Sequence, residues 1–160
     1  MSYGSRDYYI GPEDSLWEKP PIPGQDVRLL VGFKQSLGAY FLFKLRSSAR
    51  NPMHLHTIDD ESAYVLEGSL TVIVGEKTYD LEPGGFVYMP RGIPHSFQPN
   101  GEIVALCIQA PGGVLDALVE DMGEFLTTGR ELDAEHYTEL QRKHGIEAPD
   151  GWFRYPGQKF

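Results

Sequence analysis

At 160 residues the chain has room for one domain with a sizeable core, and its 41% hydrophobic, 12% aromatic and 23% charged residues are those of a folded globular protein. Fourteen Lys and Arg against 23 Asp and Glu leave a formal charge of −9, a field that repels phosphate backbones and anionic lipid and so excludes nucleic acid as a partner class. No stretch approaches the roughly 18 apolar residues of a membrane span, and no basic run precedes an apolar one at the start of the sequence, so a cytoplasmic protein without membrane partners is expected.

Residues 1–26 scatter Tyr8, Tyr9 and Trp17 among Gly, Pro and charge, which predicts an arm rather than an independent unit. From position 27 to 112 short apolar runs recur, "VRLLVGF", "AYFLFKL", "AYVLE", "LTVIVG", "KTYDL", "GFVYMP", "HSFQ" and "IVALCIQ", separated by Gly, Pro, Asn and Asp. Such spacing predicts an all-β sandwich or barrel. The one cysteine, Cys107, lies in the last of these runs and is read as a buried, inert thiol. Over residues 113–160 the period lengthens. Leu115, Leu118, Val119, Met122, Phe125 and Leu126 mark one amphipathic helix, and a second is expected from an Asp133 N-cap to a stop at Gly145. His136 and His144 fall in that second helical stretch and are expected on the solvated surface, while the closing "DGWFRYPGQKF" is expected to pack onto the domain or a neighbour.

The chemistry concentrates in "NPMHLHTIDDESAYVLEGSL". Strand side chains alternate faces, so His54 and His56 point the same way. Glu61 lies an odd number of residues beyond His56, and reaching the same face requires a turn or bulge, for which "TIDD" supplies Asp59 and Asp60. A second stretch, "GGFVYMPRGIPHSF", puts His95 directly after a turn-forming run, with Phe97 on its face. A lone barrel histidine is ordinarily a hydrogen-bonded core residue, but three with a glutamate would bury several polar groups without partners.

Read together, His54-x-His56-x4-Glu61-x6-Gly68 and Gly84-x5-Pro90-x-Gly92-x2-His95 resemble the two motifs of the cupin superfamily in order and spacing. Ser48 and Pro99 stand where the family usually has glycine and asparagine. The resemblance implies a cupin double-stranded β-helix, a jelly-roll barrel with two C-terminal helices following it, and metal-ligand roles for His54, His56, Glu61 and His95. More loosely, the tail "RKHGIEAPDG" looks like that of bacterial single-domain cupins grouped with the flavonol (quercetin) dioxygenases.

Three imidazoles and a carboxylate suit one divalent transition metal, Fe, Mn, Ni, Co, Cu or Zn, with positions left for water or substrate. Glu61 is either the fourth ligand or a catalytic base. Tyr40, Tyr64, Tyr88 and Phe97 are the candidate substrate-binding residues, because an aromatic wall beside an open metal favours a phenolic or enolic small molecule. Three functions follow: a dioxygenase, a non-oxidative cyclase, isomerase or lyase, for which the same tyrosines are the only conspicuous second bases, and a non-catalytic small-molecule-binding module. A homodimer through the barrel edges and the N-terminal arm is expected, since open sheets expose edges that must be covered.

Overall fold

Apolar and polar residues alternate at period two along most of the strand runs, so each strand turns one row of side chains inward. The structure, a computed structural model, describes residues 7–17, 26–129 and 132–148. Its elements are β1 (Asp26–Val31), a single helical turn α1 (Phe33–Ser36), β2 (Phe41–Ser47), β3 (Asn51–His56), β4 (Asp60–Glu67), β5 (Leu70–Val74), β6 (Lys77–Leu81), β7 (Phe86–Met89), β8 (His95–Pro99), β9 (Ile103–Ala110), α2 (Val114–Thr127), α3 (Ala134–Lys143) and a two-residue β10 (Ile146–Glu147). The sequence run "VRLLVGF" reads as strand to Phe33, but β1 ends at Val31 and Phe33 opens α1.

Two five-stranded antiparallel sheets face each other in a jelly roll, ordered β1-β2-β9-β4-β7 and β10-β3-β8-β5-β6. Between them lies an apolar core in which Phe41, Val65, Val72 and Met89 are fully buried. Burying each such side chain contributes about 1.5–3 kcal/mol. The turn between β4 and β5 needs glycine: Gly68 has φ +76°, and a methyl group there would overlap the carbonyl oxygen of Glu102.

The described part of the arm runs along β1, the edge of the first sheet. Leu16 N–H donates to Leu29 O (2.9 Å), the Tyr8 hydroxyl to Leu30 O (2.6 Å) and the Arg28 guanidinium to Pro12 O (2.9 Å). Trp17 packs its ring 5.7 Å from that of Phe41. Residues 7–17 thus cover part of an edge of their own chain.

The helices form a roof over one end of the barrel. α2 turns Val114, Leu118 and Met122 inward, and α3 turns in Tyr137, Thr138 and Gln141. Asp133 caps α3 as the sequence suggests, accepting from His136 N–H at 2.9 Å. β10 then pairs with β3, Ile146 opposite His56, and Thr57 N–H donates to Gly145 O at 2.8 Å, tying the roof to the second sheet. His136 and His144 are half-buried rather than solvated, because Asp133 and Asp121 draw in their rings with hydrogen bonds of 2.7 and 2.6 Å. The segment 150–160, which includes "GWFRYPGQKF", lies outside the described residues.

Candidate metal centre

Three strands bring four buried side chains to one point. His54 and His56 come from β3 and His95 from β8, where His54 and His95 are directly paired across the ladder. Glu61 comes from β4 in the facing sheet. The turn 57–59 absorbs the odd spacing between His56 and Glu61, so that all four residues, between 0% and 5% exposed, meet in the interior. Their ligand atoms lie within 4.8 Å of one another. Glu61 Oε2 is 3.3 Å from His95 Nε2, 3.4 Å from His56 Nε2 and 3.9 Å from His54 Nε2.

The outward ring nitrogens decide what the inward ones do. His54 Nδ1 sits 2.8 Å from Pro52 O, His56 Nδ1 2.9 Å from Asp59 Oδ1 and His95 Nδ1 3.0 Å from Ile93 O. Each of these partners is an acceptor, so each Nδ1 carries the proton and donates, leaving the Nε2 lone pair aimed at the centre. Three lone pairs and a carboxylate converging in a buried site repel one another unless a cation lies between them. The donor set therefore fits a divalent first-row metal, held by His54, His56, His95 and Glu61.

Burial pushes the His54 pKa down. Burial also opposes charge on His56, but its hydrogen bond to Asp59 and the charges of Glu61 and Asp59 outweigh it and hold its pKa above the ordinary value. For Glu61 burial would raise the pKa, yet the imidazoles of His54 and His95 and the charges of His56 and His95 keep it far below the usual carboxylate range.

Two contacts lock the halves of the site together. Arg91, in the turn before His95, donates through its backbone N–H and side chain to Asp60 at 2.9–3.1 Å. Gly92 N–H donates to His56 O at 2.7 Å. Asp59 and Asp60, read from the sequence only as turn formers, thus orient His56 and anchor the His95 loop.

The profile of the Cupin_2 family, described as a cupin domain, matches residues 41–109, the stretch that contains all four converging side chains. The barrel has the cupin fold. Among solved structures, the barrel is similar to KdgF from Halomonas sp., at 16% identity and a TM-score of 0.52 over 59% of this chain and 87% of that one. It is also similar to a cupin-2 domain containing protein from Shewanella frigidimarina, at 20% identity and a TM-score of 0.46 over 53% of this chain and 79% of that one. Ectoine synthase from P. lautus gives 18% identity and a TM-score of 0.48 over 56% of this chain and 65% of that one. No curated protein sequence matches the chain.

Inside the cupin barrel His54, His56 and Glu61 open onto a cavity of about 100 Å³, walled by both sheets and roofed by α2 and α3. Phe97 stands in its wall, its ring centroid 6.2 Å from that of His95 in an edge-to-face contact. Tyr40, Tyr64 and Tyr88 do not. They are 41%, 41% and 54% exposed, because each alternates with inward neighbours: Phe41 beside Tyr40, Ala63 and Val65 beside Tyr64, Val87 and Met89 beside Tyr88. Once Glu61 faces inward, Tyr64 three residues later must face out. Cys107 also lines the cavity, and burial pushes its thiol pKa up, so it stays protonated.

Sequence reasoning missed three amide side chains in the cavity wall. Gln109 on β9 lies opposite Glu61 in the ladder, and Gln141 projects from α3. The signals were a polar residue in the inward row of "IVALCIQA" and a glutamine four positions after buried Tyr137. Asn51 joins them through a register shift between Asn51 and His54, which turns residues of opposite parity to one side.

Proposed function

We propose that the protein is a metal-dependent cupin enzyme, a dioxygenase acting on a small enolic molecule. The observation that carries this reading is the convergence of three Nε2 lone pairs and the Glu61 carboxylate beside a largely apolar cavity. A bound divalent metal would supply Lewis acidity toward a substrate oxygen and a path for electrons to O₂. His54, His56 and His95 hold that metal with rings fixed by Pro52, Asp59 and Ile93. Glu61, with Oε2 turned toward the imidazoles, is either the fourth ligand or, once released from them and restored in basicity, the base that takes the proton as the substrate enolises. Phe97 and the roof residues Leu118 and Met122 exclude water from the reacting atoms. Both atoms of O₂ enter the products as a carbon–carbon bond breaks, so no external reductant is needed.

Tyr40, Tyr64 and Tyr88 stand outside the cavity, whereas Tyr137 on α3 lines it and is the second base that a non-oxidative cyclase or isomerase would use. One feature narrows the substrate. A cavity of about 100 Å³ is well below the roughly 300–1,000 Å³ of pockets that take drug-sized ligands, which favours a substrate smaller than a flavonol. Protein reconstituted with Fe, Mn, Ni, Co, Cu or Zn in turn is expected to consume O₂ in proportion to loss of a small enolisable hydroxyketone such as dihydroxyacetone, cleaved to glycolate and formate, with at least one of these metals. Equal turnover of that compound under rigorous anaerobiosis would replace the dioxygenase reading with a lyase or isomerase one.

The protein is further proposed to act in the cytoplasm as a homodimer. Its interface would be the outer face of the first sheet, where Tyr64 pairs across the ladder with Phe86, Ser62 pairs with Tyr88 and Ile108, and these apolar side chains are exposed. Light scattering at micromolar concentration is expected to give twice the chain mass for the native protein and the monomer mass for a Tyr64→Glu, Phe86→Glu variant. A monomeric native protein would refute the pairing.

A further inference from the structure

Deep in the barrel, two glutamines have an acceptor with nothing to accept. Gln109 and Gln141 are each 4% exposed, both line the metal cavity, and the side-chain carbonyl oxygen of each finds no hydrogen-bond partner within the protein. The half-buried Asn51 presents a third such oxygen to the same space. Apart from these amides and the candidate ligands, the wall is chiefly apolar: Val27, Phe43, Leu70, Phe97, Leu118 and Met122 belong to it.

Buried polar atoms in native proteins are nearly always paired, because an unpaired one costs its desolvation. Three on one cavity, carried by β3, β9 and α3, require a common explanation. The backbone arrangement spreads them around the ligand cluster. Gln109 pairs with Glu61 on the neighbouring strand, Asn51 precedes His54 on β3, and Gln141 belongs to the roof. A carboxamide presents either a carbonyl acceptor or an amino donor, and the group that complements both is a hydroxyl, itself donor and acceptor. An enlarged aromatic substrate would leave all three amides unmet.

From this geometry we infer that the cavity takes a compact, polyhydroxylated carbonyl compound whose hydroxyl groups are held by Gln109, Gln141 and Asn51 while its carbonyl oxygen faces the four-ligand cluster. The inference deepens the proposed function and rests on it for the metal at that cluster. Gln109 and Gln141 are the specificity-determining pair, since burial gives their hydrogen bonds the greatest discriminating power. A site that holds a substrate hydroxyl rejects the analogue lacking it, because the amides are then left unmet.

Dihydroxyacetone and pentan-3-one test this directly: they have the same number of heavy atoms and differ only by hydroxyl for methyl at both ends. Binding of each to the zinc-loaded protein is measured under nitrogen by NMR titration, so the result does not depend on whether O₂ is a co-substrate. Dihydroxyacetone is expected to bind at least tenfold more tightly. Gln109→Met and Gln141→Met, which keep the side-chain shape, are each expected to lower that preference by roughly three- to tenfold, the effect of one neutral hydrogen bond, with zinc content unchanged. Both variants are also expected to melt higher than the native protein without ketone, by roughly 2–4 °C, since an unmet buried carbonyl has been removed. Equal binding of the two ketones, binding of neither, or a preference that survives in both variants overturns the inference. A lower melting temperature in both variants with the preference intact would make the glutamines structural and overturns it equally. Failure of the dioxygenase reading alone would show as absent O₂ uptake with the ketone preference intact.

Discussion

Replacing His95 by alanine is expected to abolish stoichiometric binding of divalent metal while the barrel remains folded. His95 is fully buried at the centre of the cluster, closest of the three imidazoles to Glu61, and its ring is aimed by the Ile93 carbonyl. Its loss leaves two imidazoles from a single strand and a carboxylate from the facing sheet, too open a set to close a coordination sphere. Affinity should fall by more than the roughly 10–100-fold that losing an outer partner of a ligand costs. The same variant carries a second readout, because a metal at this site bridges the two sheets. A ligand bound only by the folded state adds about 2.7 kcal/mol of stability at 100 times its Kd, so a chelator should lower the melting temperature of the native protein and leave His95→Ala unmoved. Metal analysis showing native content in the variant would refute the assignment, as would a melting temperature equally sensitive to chelator in both proteins.

Asp59→Ala is expected to weaken metal binding by about 10–100-fold without removing a ligand. Asp59 is 0% exposed, and its Oδ1 accepts the Nδ1 proton of His56 at 2.9 Å. That bond selects the tautomer with the Nε2 lone pair facing inward and fixes the angle of the ring. Without it the His56 N–H is buried and unmet, and the ring has a reason to turn over. Asp59→Asn keeps an oxygen in place to accept the proton and should recover part of the affinity, a rescue that a purely space-filling role would not produce in the metal titration. Competition against a chelator of known affinity measures all three proteins. Indistinguishable affinities for native, Ala and Asn forms would remove Asp59 from the site's working parts.

Legibility differed from residue to residue for definite reasons. The four converging side chains could be read from the sequence because their spacing, turn chemistry and strand parity reinforce one another over a short stretch. Parity also held the answer for Tyr64: an inward Glu61 in an unbroken strand forces position 64 outward, and its exposed side chain obeys that rule. Asn51 could not be placed that way. The register shift before His54 breaks the alternation, and no residue type announces it reliably, although Pro52 is there. Asp59 looked like any turn-forming aspartate until the fold brought its carboxylate back onto His56. Gln141 needed the packing of α3 on the barrel, a contact between distant parts of the chain. The two-residue β10 was too short to show any period.

The division between barrel and roof bears on how such a protein diversifies. All four candidate metal ligands lie between positions 54 and 95, and the match to the cupin domain family ends at 109, before α2 begins at Val114. Part of what selects a substrate, including Gln141, Leu118 and Met122, therefore belongs to a stretch separate from the one that binds metal. Exchange of that stretch for another pair of helices could change the accepted molecule and leave the metal chemistry intact. One constraint limits the exchange. β10 lies against His56, and Gly145 accepts from the backbone of Thr57, so a replacement lacking this return strand would loosen the ligand strand itself. Grafts that replace residues 145–147 without restoring a return strand should lose metal affinity together with selectivity, whereas grafts that keep residues 145–147 should lose selectivity alone.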